Sequence, residues 1–376
     1  MKSKIFTILA LNFGSTSSKL AVYNNNTPVL GRSLAHPRAE LAAFPDVRAQ
    51  YDYRREAVSE ALREHGFSFG DFDILVSRGG NTRPVPGGIY LVDEAMLADI
   101  DSGHYGEHAT GNGSRLVYEI GKKYGIPAIC VDPPVSDEFC DEARFTGLPE
   151  IWRLSSGHVL NQKATARKIA AQLGKNYQEC SLIICHLGGG ISIAAHRRGR
   201  IVDMNDALDG DGPMTPERAG SLPARALVEL CFSGRWTREA IRNKLAGQGG
   251  WMAHLGFADG RELVRRVKAG NEAAARLLNA TLYQIAKEIG AMAAVLGLGG
   301  AALDGIGLTG SLAHSREIVN GLRERSAWLK APVFVHAGEN EMEALGAGAL
   351  RYLRGEERAM KFSDVGDFIF QAAGNP

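Results

Sequence analysis

"LNFGSTSSKLAVY", residues Leu11–Tyr23, sets a glycine, four hydroxyl residues and a lysine between two apolar runs that read as buried strands. A reversal between strands needs only two or three turn residues, so this loop carries more hydrogen-bonding capacity than a turn requires. Gly14 frees backbone amides, Ser15, Thr16, Ser17 and Ser18 add hydroxyls, and Lys19 adds a cation. That combination suits a terminal phosphate. A second stretch, "CHLGGGIS" from Cys185 to Ser192, follows another buried run. After His186, its glycines Gly188, Gly189 and Gly190 let the main chain approach a ligand, at a backbone-entropy cost that a plain hairpin does not need. The two loops begin at Gly14 and Gly188, 174 residues apart.

The surroundings of the two loops repeat as well. In the first half, strands over Ile5–Leu11, Leu20–Tyr23 and Pro28–Ser33 form a meander turned by "NNN". A helical pattern near Tyr53–His65 and the buried strands "DILVSRGG" and "IPAICVDP" follow. In the second half, "SLIICHLGGGISIAAHRRGRIVDMN" is the meander. Helices such as Asn271–Leu296 and the strands in "GIGLTGS" and "APVFVHAG" complete it, and "NEMEALGAGALRYLRGEER" closes the chain as a helix. The expected architecture is α/β, with two domains that each hold a mixed sheet flanked by helices and meet at a cleft lined by strand-end loops. The expected boundaries are 1–155, with a helix 346–376 packing back on it, and 156–345.

Composition narrows the function. The 376 residues carry 43 basic and 42 acidic side chains, a net charge of +1 that gives no polyanion-binding surface for nucleic acid. Glycine is the outlier, 45 of 376 or about 12%, against about 7% on average. Five cysteines show no disulfide spacing, and four of them lie in or near apolar stretches, as reduced core thiols of a cytoplasmic protein would. "MKSKIFTILALNF" runs into the polar loop with no cleavage site and reads as a strand. The apolar stretch Ile289–Leu303 is too short for a bilayer, so no membrane partner is expected.

Other motifs fail on context. Gly121-Lys122 and Gly174-Lys175 are not followed by Ser or Thr, which excludes a P-loop. No D-F-G or H-R-D of a protein kinase occurs. "GIGLTG" (Gly305–Gly310) overlaps its own strand instead of following one, against a dinucleotide fingerprint. "HYGEH" (His104–His108) matches a zinc-protease spacing, but the glycines around it oppose the helix that such a site needs. Arg78 and Asp132 end buried strands, and Arg218 stands in the Gly/Pro-rich "DGDGPMTPERAGSLP". With two phosphate loops, these residues suggest cations for an anionic substrate and a carboxylate for a metal.

Together, "ILALNFGSTSSKLAVY", "SRGG", "CHLGGGIS", "LDGDGPMTPERAGSLP", "LTGS" and "GENEMEALGAGALR" resemble the butyrate kinases, in the acetokinase branch of the acetate and sugar kinase, Hsp70 and actin superfamily. The resemblance runs from Ile5 to Arg354. It implies a duplicated actin-like (ribonuclease H-like) fold with mixed five-stranded sheets. It also implies Mg²⁺-dependent transfer from ATP to a short-chain carboxylate, giving an acyl phosphate and ADP, in a homodimer or higher homo-oligomer. By resemblance, Asn12, Gly14, Ser15, Thr16, Ser17 and Lys19 form the first phosphate loop and His186 with Gly188, Gly189 and Gly190 the second, while Gly310 and Ser311 lie on the adenosine side. Arg78 and Arg218 match the arginines for carboxylate and phosphoryl group, with Arg83 competing with Arg78. Asp132 and Glu341 match the acidic residues near Mg²⁺, and His158 the active-site histidine.

The chemistry agrees. A carboxylate, with a pKa of roughly 4 to 5, is already an anionic nucleophile at neutral pH. Positioning and charge neutralisation remain to be supplied, and no general base is required. Two departures from the acetate kinases stand out: glycine replaces asparagine at 189, and Gly157 replaces a bulky aromatic, which is expected to widen the acyl pocket. Acetate, propionate or a branched acid is the alternative substrate. A non-catalytic Hsp70-like nucleotide switch would keep both phosphate loops without needing Arg78 and Arg218.

Overall fold

Strand β1 (Thr7–Phe13) is apolar on both faces, with Ile8, Leu9, Ala10 and Leu11 fully buried, as a central strand between two helical layers must be. It pairs antiparallel with β2 (Ser17–Asn24), which pairs with β3 (Thr27–Ala35). On its other side it runs parallel to β4 (Ile74–Ser77). Strands β5 (Ile89–Leu91) and β6 (Ala128–Val131) extend that sheet. The second sheet holds β7 (Ser181–Leu187), β8 (Ile191–Arg197), β9 (Arg200–Met204), β10 (Gly305–Gly310) and β11 (Val333–Ala337). Strand β12 (Ala359–Lys361) returns to the first sheet.

The computed structural model describes residues 4–208, 210–297 and 302–366. Two compact units emerge, Met1–Ser136 with Asn340–Pro376, and Asp137–Glu339. These limits differ from 155/156 and 345/346 for visible reasons. Residues 137–155 are tied into the second unit by Arg153 donating to Asp203 at 3.0 Å and by the Cys140 amide donating to the Val202 carbonyl at 3.0 Å. In the first unit, Glu341 accepts from Asn12. The closing helix spans Glu341–Leu353 and gives way to β12. Residues 367–376 of the expected 346–376 helix lie outside the described residues, as do Asp209 of the Arg218 segment and 298–301 of the Ile289–Leu303 stretch.

The strand orders are β12-β5-β6-β4-β1-β2-β3 and β11-β10-β7-β8-β9. Five strands of each sheet therefore share one arrangement, an antiparallel meander continued by two parallel strands. The first sheet carries two strands beyond the expected five, β5 and β12. Each is three residues long, and β5 follows the Pro/Gly-rich "RPVPGG", so neither shows a strand period.

Period-2 alternation sends β1 residues to two layers. Leu9, Leu11 and Phe13 share a core with Leu116, Val117 and Ile120 of helix Thr110–Tyr124. Asn12 lies on the opposite face and meets helix Glu341–Leu353, which packs on β1, β4 and β6. In β7, Ile183, Cys185 and Leu187 share a core with Leu278, Leu282 and Ile285 of helix Glu272–Gly297. Leu182 and Ile184 pack with Ala166 and Ile169 of helix Val159–Gln172. His186 takes that second face.

Glu288, on helix Glu272–Gly297, is pushed up to about 7 by burial first and then by Asp211 and Asp203. Its folded value exceeds its ordinary carboxyl value, so the penalty of ionising it is absent at acid pH and complete once pH has risen through about 7. Glu288→Gln should therefore raise Tm over wild type at pH 8 and lose that advantage at pH 5. A pH-independent difference in thermal unfolding would contradict this.

Candidate active site

In the first unit, Asn12, Arg78 and Asp132 stand at or just beyond the carboxyl ends of adjacent parallel strands, β1, β4 and β6. Helix Glu341–Leu353 adds the fourth group. Its small residues let it lie close on the sheet, Gly348 against Val131 and Gly346 against Tyr23. Glu341, at the helix start, accepts from Asn12 Nδ2 at 2.7 Å and pairs with the Arg78 guanidinium. Burial works to raise the Glu341 carboxyl, but Arg78, then Lys19 and Asn12, hold it below the usual carboxylate range. The Arg78 side chain is 13% exposed, and its Nε is buried with no acceptor, so the fork retains donor capacity. Asp132 is fully buried and takes a left-handed backbone, φ 42°, while its amide donates to Gly88 at 2.8 Å. A non-glycine residue held in that region is a mark of functional sites.

The loop between β1 and β2 is tighter than its sequence reading. Ser17, Ser18 and Lys19 belong to β2, Lys19 stands opposite Asn12, and only Gly14, Ser15 and Thr16 link the strands. Ser15 and Thr16 are exposed, whereas Ser18 is buried and its hydroxyl meets His36 Nε2 at 2.8 Å. Beneath the turn lies Arg54, fully buried on helix Tyr51–Arg63. It donates to the carbonyls of Gly14, Ser15 and Ser17 at 3.0–3.2 Å, to Ser18 Oγ and to Gln50. The His36 amide takes the Thr16 carbonyl at 2.8 Å. Every carbonyl from Gly14 to Ser17 is thus engaged on the protein side.

In the second unit, His186 near the end of β7 bonds Asn161 Oδ1 through Nδ1 at 2.9 Å. His158 immediately precedes helix Val159–Gln172 and stacks on His186, with ring centroids 3.8 Å apart and planes 11° from parallel. The Arg218 guanidinium occupies the space over Gly190, where any Cβ would overlap it, and the same position is 3.3 Å from His158 Cε1. Arg218 also donates to the Ala207 carbonyl. Thr215 fixes this segment: its hydroxyl donates to the Gly189 carbonyl at 2.6 Å and accepts from the Arg218 amide at 2.9 Å. A cavity of about 1110 Å³ opens beside it, bounded by Gly188, Gly189, Glu217, Asp259, Arg265 and Ser311. Gly310, just before Ser311, is hydrogen-bonded in both directions with Gly338 at 2.9–3.0 Å.

The Arg83 fork grips Asp99 at 2.6–2.7 Å, whereas Arg78 pairs with Glu341, which also holds Asn12. Gly157 does not widen a pocket: a Cβ there would lie 2.6 Å from Met204 Cε, so Met204 already fills the space. The His104–His108 motif falls in the non-helical link between helices Glu94–Ser102 and Thr110–Tyr124. Arg54, Asn161 and the Asp259–Arg265 wall belong to none of the sequence motifs. Thr215 alone left a trace, in "TPER" three residues before Arg218.

The donors at the first cluster, the Asp132 and Glu341 carboxylates and the Asn12 amide oxygen, are hard oxygens suited to magnesium. No group of three or more His, Cys, Asp or Glu side chains among the described residues is arranged to hold a metal by itself.

A family model described as "Acetokinase family" matches residues 155–325. A protein of Coprothermobacter proteolyticus named "Probable butyrate kinase" is 46% identical over 358 residues, covering 95% of this chain and 99% of that protein. Acetate kinase from Porphyromonas gingivalis matches at a TM-score of 0.71 with 17% identity, over 92% of this chain and 99% of that one. A propionate kinase from Francisella tularensis matches at 0.68 with 18% identity, over 91% and 99%. The fold is the one these solved kinases share.

Arg54→Met would strand three turn carbonyls and Gln50, and should lower stability by about 3 kcal/mol in chemical denaturation. A midpoint within error of wild type would show that the guanidinium is dispensable to the turn.

Proposed function

The chain belongs to the acetokinase family, and we propose that it transfers the γ-phosphoryl group of ATP to butyrate, giving butyryl phosphate and ADP. It is a phosphotransferase with a carboxyl group as acceptor. The observation that carries the reaction is Arg218, seated over Gly190 at a position that His158 also borders. Its sequence neighbour Glu217 borders a cavity of nucleotide size. Support for butyrate over other short acids is the chain-long likeness to the Coprothermobacter proteolyticus protein.

A butyrate oxygen attacks the γ-phosphorus as the bond to the bridging oxygen of ADP breaks. The nucleophile arrives ionised, so Asp132 has no proton to remove. Arg78, with donor capacity beyond its bond to Glu341, orients the carboxylate. Arg218 and the backbone of Gly188–Gly190 offset charge on the phosphoryl oxygens. Ser15, Thr16, Ser17 and Lys19 present hydroxyls and a cation to phosphate. Asp132 and Glu341 are the residues that would hold Mg²⁺, which when bound neutralises charge on the phosphate oxygens.

Exposed apolar side chains on the second unit, Phe145, Leu148, Ile151, Val228 and Phe232, support a second copy of the chain as partner. Among the described residues no helix is long and apolar enough to cross a membrane. Together with cysteines free of disulfides, this supports a cytoplasmic setting.

Hydroxylamine trapping across acids from acetate to hexanoate, with Mg²⁺ or with EDTA, should give Mg²⁺-dependent product greatest with butyrate. No product from any acid, with ATP still bound, would sink the assignment. Arg218→Ala should lower kcat roughly 10³-fold with an unchanged circular dichroism spectrum. An unaltered kcat would remove Arg218 from the reaction.

A further inference from the structure

Behind His158 runs a line of buried polar groups that the reaction as described does not use. Ser192, Gln162 and His196 are fully buried, and Tyr177 is nearly so. We propose that these four residues form a positioning relay that fixes neutral His158 as its Nε2–H tautomer. The His158 ring then offers a hydrogen-bond donor to the transferring phosphoryl group, a consequence that rests on the carboxylate kinase reading.

The direction of each bond follows from one anchor. The Ser192 carbonyl can only accept, and Gln162 Nε2 lies 3.0 Å from it, so the amide orientation is set. The second Nε2 hydrogen reaches Ser192 Oγ at 2.9 Å. Gln162 Oε1 is then an acceptor, and His196 Nε2, 3.0 Å away, must carry a proton. His196 Nδ1 is left with its lone pair, which accepts the Tyr177 hydroxyl at 2.7 Å. At the other end, the Ser192 hydroxyl already accepts from Gln162. Its own proton points to His158 Nδ1 at 3.0 Å. Were His158 protonated at Nδ1, the Ser192 O–H would be a buried donor with its bond unmade, which folded proteins avoid.

The stacked neighbour is held in the opposite sense. Asn161 Nδ2 donates to the Glu339 carbonyl, which turns Oδ1 toward His186 Nδ1 and makes that nitrogen a donor. His186 Nε2 is therefore the nitrogen with the lone pair. One ring of the stack presents a donor and the other an acceptor.

Two-bond ¹⁵N–¹H spectra of the full chain labelled at histidine test this, with His158 assigned by loss of its signal in His158→Asn. At neutral pH, His158 should be protonated at Nε2 only and His186 should carry its proton at Nδ1. Ser192→Ala should release His158 to mixed tautomers and lower kcat about tenfold, the weight of one hydrogen bond, with KM for ATP unchanged. Gln162→Glu, which replaces the amide donors by acceptors, should drive His158 to the Nδ1–H form. A wild-type His158 protonated at Nδ1, or a tautomer untouched by Ser192→Ala, overturns the relay. The spectra need no turnover, so a wild type that makes no acyl phosphate would refute the kinase reading without obscuring this result.

Discussion

The Glu341 carboxylate binds together chain segments that lie 329 residues apart, and the first cluster exists only because it does so. One oxygen holds Asn12 and the other holds Arg78. The helix that delivers Glu341 reaches the sheet because alanine and glycine line its inner face. The second unit solves the same problem with other residues. There His186 stands two positions before Gly188, as Asn12 stands two before Gly14, and Asn161 near a helix start takes the place of Glu341. The duplicated sheet thus supplies a duplicated device, a polar residue at the end of the central strand steered by a helix across its face.

Both glycine loops owe their shape to groups behind them. Arg54 gathers carbonyls from below, which satisfies a buried cation with neutral acceptors. Thr215 joins the glycine run to the arginine segment through a single hydroxyl. Neither residue has to touch a ligand to decide where one binds.

The period of the strands, the two glycine loops and the isolated charges of Arg78 and Asp132 at strand ends were all legible, because each is a local pattern of residue types. The short strands β5 and β12 were not, since three residues carry no period and their pairing is set by the sheet they join. Arg54 was hidden because an arginine on a helix face reads as solvated until its tertiary partners are known. Gly157 misled for the same reason: a missing side chain says nothing of which neighbour fills the gap, and Met204 does. The relay behind His158 joins residues 158, 162, 177, 192 and 196, ordinary core positions in sequence that only the fold orients.

The discontinuity of the first unit has a consequence for synthesis. Residues 137–339 form a unit of their own, whereas 4–136 lack the helix Glu341–Leu353 and β12 until the segment after 339 has been made. On the ribosome, the interior unit can therefore complete its core before the unit that precedes it. Until then the face of β1 that carries Asn12 is uncovered, and Arg78 has not met its carboxylate. The last-made helix is both the lid on that face and the source of the carboxylate that holds Asn12 and Arg78, so a truncated product would leave the face bare and the cluster unassembled.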